Sequence, residues 1–104
     1  MLACAASDLD EDKPFSAEVG DELVAIVRHE GELFAIRDEC SHGSVMLSLG
    51  EVDECTIECF AHGSRFDLRT GEPLDLPATR PVPVYPVKVE GDDVLVDLDN
   101  PIQL

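Results

Sequence analysis

The chain has 104 residues, of which 23 are acidic and 7 are basic, giving a formal net charge of −16. This length predicts one domain, and the charge excludes a role in binding nucleic acid, whose phosphate backbone would be repelled. Hydrophobic residues make up 44% of the chain, enough for a packed core. Because no apolar run approaches the roughly eighteen residues that a membrane helix needs, none is expected.

The N-terminal stretch predicts a cytoplasmic location. It has no basic start, and acidic residues follow from Asp8 onward, unlike a secretory signal. In a reducing compartment, the four cysteines are expected to be ligands or core residues rather than disulfides. The acidic surface suits fast, salt-sensitive encounter with basic patches on partner proteins, although it could also serve solubility alone.

Short apolar runs alternate with turn signals along the first half of the chain, and this pattern predicts an all-β fold. The expected strands cover residues 1–5, 15–19, 23–28 and 33–37. Residues 23–28 show the alternation expected of a strand, and Gly31 turns the chain into a hairpin with residues 33–37. His29, near the tip of this hairpin, has no second ligand nearby in the sequence and is expected to be a solvated turn residue.

The second half predicts one helical turn and further short strands. The helical turn covers residues 44–49, and the strands cover 52–58, 65–68, 84–89 and 94–98. Residues after Asp99 are expected to form a loose end. Prolines at four positions of the segment 73–83 exclude a central strand there. We expect one domain over 1–104, with a small lobe of residues 39–70 inserted in a larger β body.

Two short motifs carry the chemistry, and each contains one cysteine and one histidine followed by glycine. Cys40 and His42 are separated by one residue, sixteen residues follow, and Cys59 and His62 are separated by two. A chance match of both pairs is improbable, so the spacing predicts a four-ligand metal site. Two thiolates and two imidazoles are the ligands of a Rieske 2Fe-2S cluster, in which histidine ligation raises the potential to about −150 to +300 mV.

Structural zinc held by the same four side chains is the main alternative. Zinc sites of this type usually space each ligand pair by two to four residues, and the single residue between Cys40 and His42 fits that poorly. A zinc protein is colourless, whereas a Rieske protein is red-brown, so visible absorption separates the two.

Cys55 imitates the second motif, because Glu58 follows it at the same step as His62 follows Cys59. Period-two alternation places Cys55, Ile57 and Cys59 on one face of the expected strand. We therefore expect Cys55 to be a packing residue, and Cys4 likewise.

The sequence resembles the Rieske-type ferredoxins that supply electrons to bacterial aromatic-ring dioxygenases. The resemblance covers nearly the whole chain and rests on the two Cys–His motifs with Gly43 and Gly63, on Phe66-Asp67 and Thr70-Gly71, and on the tail that begins at Tyr85. It implies a Rieske fold, with antiparallel sheets in a β-sandwich-like body and an inserted cluster-binding lobe. It also implies one 2Fe-2S cluster, with Cys40, His42, Cys59 and His62 as its ligands. In such a fold the proline-containing segment 73–83 would be the third loop, covering the cluster; a plain surface connection is the alternative.

The resemblance also implies the role of a one-electron carrier with two transient partners, a flavin-containing NAD(P)H reductase and a terminal oxygenase. The sequence has no Gly-rich dinucleotide fingerprint and no second set of ligands for mononuclear iron, so no catalytic turnover by the chain alone is expected. A Rieske-like small subunit of a nitrite reductase or another oxidoreductase is the alternative.

Residues around the motifs predict the redox properties. High-potential relatives carry an extra cysteine in each cluster loop, and both are missing here, so the low-potential branch is expected. Ser64 stands where that high-potential branch has a hydrogen-bond donor to sulfur, whereas Phe66 replaces a frequent tyrosine. The histidine edges are expected at the surface as the electron port. The expected docking patch consists of Val45, Met46, Phe60 and Pro77.

Overall fold

A computed structural model of the chain describes residues 1–40, 45–61, 63–76 and 78–102. Ten strands and two short 3₁₀ turns are the regular elements of these ranges, so the predicted all-β class is confirmed. Within them, no helix has the length and apolar character to cross a membrane. The strands are β1 (Leu2–Ala5), β2 (Phe15–Val19), β3 (Glu22–His29), β4 (Glu32–Arg37), β5 (Val52–Asp53), β6 (Thr56–Glu58), β7 (Arg65–Asp67), β8 (Val84–Tyr85), β9 (Val87–Glu90) and β10 (Asp93–Val96). The 3₁₀ turns cover Ala6–Asp8 and Leu47–Leu49.

The strands form three antiparallel sheets. The central sheet has the order β2-β3-β4-β8, the base sheet β1-β10-β9, and the lobe sheet β5-β6-β7. The central sheet lies between two hydrophobic cores. The base core joins it to the base sheet and contains Leu9, Ala17, Val19, Val24, Ile26, Ala35, Tyr85, Val94 and Val96. The lobe core joins its other face to the lobe and contains Ala25, Val27, Ile36, Cys40, Leu47, Cys55, Ile57, Cys59, Phe66, Leu68, Ala78, Val82 and Val84.

Strand β3 shows what this layering requires of the sequence. Val24 to Val27 are all fully buried, because successive side chains point alternately into the two cores. Neither face of the strand is solvated at these four residues. A continuous apolar run is what a strand needs when both of its faces are covered.

The lobe differs from the sequence prediction at residues 52–58, which do not form one strand. They form the hairpin of β5 and β6, whose turn residues Glu54 and Cys55 have positive φ angles of 48° and 62°. Cys55 is buried in the lobe core, as expected of a packing residue, but it lies in the turn and not on a strand face shared with Ile57.

The C-terminal half differs in two further places. Pro86 divides the expected strand 84–89 in two, because β8 pairs with β4 in the central sheet whereas β9 pairs with β10 in the base sheet. The residues after Asp99 are also not a loose end throughout. Ile102 donates its backbone N–H to the carbonyl oxygen of Val84 at 2.7 Å and so extends the edge of the central sheet.

The hairpin of β3 and β4 is confirmed, with Glu30 and Gly31 at its tip in positive-φ conformations. His29 is not a simple solvated residue, because its Nδ1 lies 2.6 Å from Oδ1 of Asp12. Ligand-type atoms of Glu11, Asp12 and His29 lie within 4.8 Å of one another, so this histidine has carboxylate neighbours that its sequence position did not indicate. The hydrogen bond to Asp12 is the main cause that raises the pKa of His29.

This pair predicts a pH dependence of stability. Because the pKa of His29 is raised on folding, its contribution is fully present below the ordinary histidine pKa of about 6.5 and is lost as pH rises through the raised value. We expect the Asp12→Asn variant to lower the His29 pKa in an NMR titration and to flatten the pH dependence of the unfolding free energy above about pH 6.5. Equal His29 pKa values in the two proteins would contradict this assignment.

Candidate metal centre

Cys40 begins the first loop of the lobe, three residues after the end of β4. Its side chain is buried, and its backbone N–H donates to the carbonyl oxygen of Val45 at 2.8 Å. This hydrogen bond brings the backbones of Cys40 and Val45 together. The chain then forms the 3₁₀ turn at Leu47–Leu49 and ends the first loop at Gly50.

Cys59 begins the second loop, directly after β6. It is fully buried, and its backbone N–H donates to the carbonyl oxygen of Ser64 at 2.8 Å. The N–H of Gly63 donates back to the carbonyl oxygen of Cys59 at 2.8 Å. Gly63 has a φ of 76°, a conformation that side chains disfavour, so the glycine of the second motif is needed for this tight turn.

The two loops are held together by a close backbone contact. A Cβ atom at Gly50 would lie 1.6 Å from the carbonyl oxygen of Glu58, so only glycine fits at this position. The neighbouring N–H of Glu58 donates to the carbonyl oxygen of Glu51 at 2.8 Å. The end of the first loop is therefore attached to the residue before Cys59, and both cysteines belong to the same core.

The proline-containing segment packs on the second loop. The N–H of Ala78 donates to Oγ of the fully buried Ser64 at 3.1 Å, and the N–H of Leu74 donates to the carbonyl oxygen of Arg65 at 2.7 Å. The Arg65 guanidinium also contacts Asp75 at 2.7 Å and lowers the pKa of that carboxyl group, chiefly through this hydrogen bond. The segment is therefore part of the lobe rather than a separate surface connection.

The described donors fit an iron–sulfur group. Two buried thiols lie at the starts of two joined loops, and thiolate sulfur is the soft ligand that such a cluster requires. The Ser64 hydroxyl accepts a hydrogen bond from Ala78 and keeps its own hydrogen as a donor. Burial is the main cause that raises the pKa of the Cys55 thiol, as expected of a packing residue. The predicted ligands His42 and His62, and Pro77, lie outside the described residues.

Comparison with known proteins identifies the class. The family model described as the Rieske [2Fe-2S] domain matches residues 1–86, so the chain belongs to this family. It is a Rieske protein with one 2Fe-2S cluster, as the two motifs predicted. Structural zinc is therefore no longer a competing interpretation of the site. When bound, such a cluster accepts and releases one electron.

The similar proteins narrow this class to ferredoxins. The chain is 41% identical over 99 residues to the 3-phenylpropionate/cinnamic acid dioxygenase ferredoxin subunit of Shigella boydii serotype 4 (strain Sb227), covering 94% of this chain and 92% of that protein. The ferredoxin of carbazole 1,9a-dioxygenase from Nocardioides aromaticivorans IC177 aligns with a TM-score of 0.88 and 35% identity, over 92% of this chain and 94% of that one.

A third similar structure is a complex of reduced oxygenase and oxidized ferredoxin in carbazole 1,9a-dioxygenase. It aligns with a TM-score of 0.86 and 36% identity, over 93% of this chain and all of the matched chain. The resemblance to Rieske-type ferredoxins of dioxygenase systems is thereby confirmed.

Three features of the site were not recognised in the sequence. They are the buried carboxylate of Asp38, the backbone contact at Gly50 and the N–H of Ala78. Gly50 follows the expected helical turn. Its position indicated where that turn ends, but not that the backbone of Glu58 packs against it. Nothing local to Asp38 or Ala78 signals that a distant segment contacts them.

Replacement of Ser64 tests how the proline-containing segment is held. In Ser64→Ala the buried N–H of Ala78 loses its acceptor, so we expect the unfolding free energy to fall by about 1–3 kcal/mol. The midpoint potential should also fall, because the resemblance implies that Ser64 donates a hydrogen bond to a cluster sulfur and so favours the reduced state. Ser7→Ala is the control, since Ser7 bonds an exposed carboxylate of Asp92. Equal losses of stability in chemical denaturation of the two variants would contradict the assignment.

Proposed function

We propose that this protein is a one-electron carrier between a flavin-containing NAD(P)H reductase and a terminal Rieske oxygenase in the oxygenation of aromatic compounds. The observation that carries the proposal is the 41% identity, over 94% of the chain, to a dioxygenase ferredoxin subunit. The two buried cysteines at the joined loops support it. The structure of an oxygenase in complex with a similar ferredoxin supports the oxygenase as partner, whereas the reductase is inferred from the need for an electron source.

We propose that the cluster is held by Cys40, His42, Cys59 and His62, with the thiolates on one iron and the imidazoles on the other. The motif spacing supports this ligand set, and the burial of both cysteines is consistent with it. We treat residues 1–104 as one Rieske domain in which the lobe of about 39–70 carries the site. A cytoplasmic location remains a prediction that cell fractionation would test.

The residues of this chain provide a dry and rigid environment for such a cluster. Burial excludes water from both thiols, and the backbone hydrogen bonds at Cys40 and Cys59 fix the starts of the two loops. A rigid site needs little rearrangement when its charge changes by one. Peptide N–H groups in the loops and the Ser64 hydroxyl would stabilise negative charge on sulfur. We propose a midpoint near the lower end of the range of about −150 to +300 mV.

The docking surface is proposed to lie on the lobe. Of the four residues predicted for it, Phe60 is 59% exposed, Val45 and Met46 are partly exposed, and Pro77 lies outside the described residues. The same lobe also exposes Leu49, and the proline-containing segment that packs on it exposes Leu74 and Leu76, the last of which is 78% exposed. Exposed apolar side chains beside a redox site suit a short-lived complex, while the net charge of −16 would guide approach to a basic surface.

Ligand replacement tests the proposed site. We expect His42→Ala, His62→Ala, Cys40→Ser and Cys59→Ser each to lose the red-brown absorption and most iron and inorganic sulfide, because each removes one ligand. The matched controls His29→Gln and Cys4→Ser should retain all three. A histidine variant with the chromophore and iron content of the unmodified protein would refute the ligand set.

Charge substitution tests the docking surface. We expect Phe60→Glu and Leu76→Glu to lower electron delivery about tenfold or more, because a desolvated contact would receive a charge. The assay would use the reductase and oxygenase of the 3-phenylpropionate/cinnamic acid dioxygenase system. Leu2→Glu and Val89→Glu, at exposed apolar positions of the base sheet, are the controls. Equal rates in all four variants would place docking elsewhere.

Stable copurification with a large catalytic subunit would instead favour the alternative function, a Rieske-like small subunit of a nitrite reductase.

A further inference from the structure

We propose that Asp38 is a positioning residue. Its buried carboxylate joins the start of the first cysteine loop to the end of that loop and to the central sheet. Asp38 and Ser64 are the two buried polar or charged residues of the described chain. Ser64 lies within the second loop, and Asp38 lies two residues before Cys40. The inference rests on the proposed ligand set, because it concerns how Cys40 is held.

The contacts of the carboxylate link three separate parts of the chain. Its Oδ1 accepts the backbone N–H of Ser48 at 2.7 Å, and its Oδ2 accepts the hydroxyls of Ser48 at 2.6 Å and Ser16 at 2.7 Å. Ser48 belongs to the 3₁₀ turn at the end of the first loop, and Ser16 belongs to β2 of the central sheet. The backbone N–H of Asp38 also donates to the carbonyl oxygen of Leu23 at 2.9 Å.

These contacts close the first loop at its base. Asp38 and Ser48 are ten residues apart, and Cys40 lies between them with its own N–H bonded to Val45. The 3₁₀ turn continues into Gly50, which contacts the carbonyl oxygen of Glu58 directly before Cys59. A shift of Ser48 would therefore disturb the starts of both cysteine loops. The hydroxyl of Ser16, in β2, also bonds the carboxylate of Asp38. The carboxylate therefore fixes the lobe relative to the central sheet.

The donor set determines which substitutions the site tolerates. A carboxylate accepts all three hydrogen bonds, whereas alanine would leave the partly buried Ser48 N–H without its acceptor, which is costly. Asparagine has nearly the same shape. Its amide oxygen can accept the Ser48 N–H, and its NH₂ group can donate to the two hydroxyls, which can rotate to accept. Asparagine should therefore restore the geometry while it removes a buried negative charge close to Cys40.

The test compares Asp38→Ala and Asp38→Asn with Asp92→Ala, using the loaded protein. Asp92 is the matched control, because it also accepts the backbone N–H and the hydroxyl of one serine, Ser7, but at an exposed site. We expect Asp38→Ala to release iron to a chelator about tenfold faster and to change the g values of the reduced protein. Asp38→Asn should restore the g values and raise the midpoint potential, since the lost negative charge had disfavoured the added electron. Asp92→Ala should change none of these.

The serine variants keep the proposal testable if Asp38→Ala does not fold. Ser48→Ala removes one hydroxyl link within the loop, and Ser16→Ala removes the hydroxyl link to the body, so each should release iron faster than the unmodified protein. Wild-type g values, potential and iron release in all Asp38, Ser48 and Ser16 variants would overturn the role of Asp38. Absence of iron and sulfide from the unmodified protein would instead refute the ligand set.

Discussion

The two cysteine loops can serve one cluster only if both are fixed to the same rigid support, and the central sheet provides it. One face of this sheet packs on the base sheet, and the other packs on the core that contains Cys40 and Cys59. Burial on both faces explains the continuous apolar run at Val24 to Val27. It also explains how a chain of 104 residues obtains enough buried apolar area to support an irregular lobe with short strands.

Among the described residues, polar side chains are buried at two positions, and at both they fix a loop. The net charge of −16 is carried outside the core, apart from Asp38, and the other buried polar residue among those described is Ser64. Each of the two receives a backbone N–H from a residue ten or more positions further along the chain, from Ser48 for Asp38 and from Ala78 for Ser64. Buried polar groups are costly unless hydrogen-bonded, and here their bonds define one arrangement of the loops. The acidic side chains at the surface would guide the approach to basic surfaces of partner proteins.

The sequence predicted those features that local patterns determine. The Cys–His motifs identified the family, and Gly31 identified the turn between β3 and β4. The β5–β6 hairpin was missed because its turn residues, Glu54 and Cys55, adopt positive φ angles without a glycine or asparagine. Pro86 was not recognised as the point where the chain changes sheets, because that depends on which strands are available for pairing.

The sequence indicated a set of ligands for the site, but it did not indicate the residues that support them. Asp38 lies between two charged residues, Arg37 and Glu39, directly before the first motif. Nothing in this local sequence distinguishes it from an exposed carboxylate. Its role depends on Ser16 and Ser48, which approach it only in the folded chain. The same holds for the contact of Ala78 with Ser64. Long-range hydrogen bonds of this kind have no signature in residue spacing, whereas ligand pairs within one loop do.

The central claim is that two thiolates and two imidazoles hold one iron–sulfur cluster. The most direct measurement is the electron paramagnetic resonance spectrum of the reduced protein, prepared without oxygen. The account predicts a 2Fe-2S signal with the low average g value of mixed histidine and cysteine ligation. The higher average g value of a cluster held by four cysteines, or no signal from a sample that contains iron and sulfide, would contradict it.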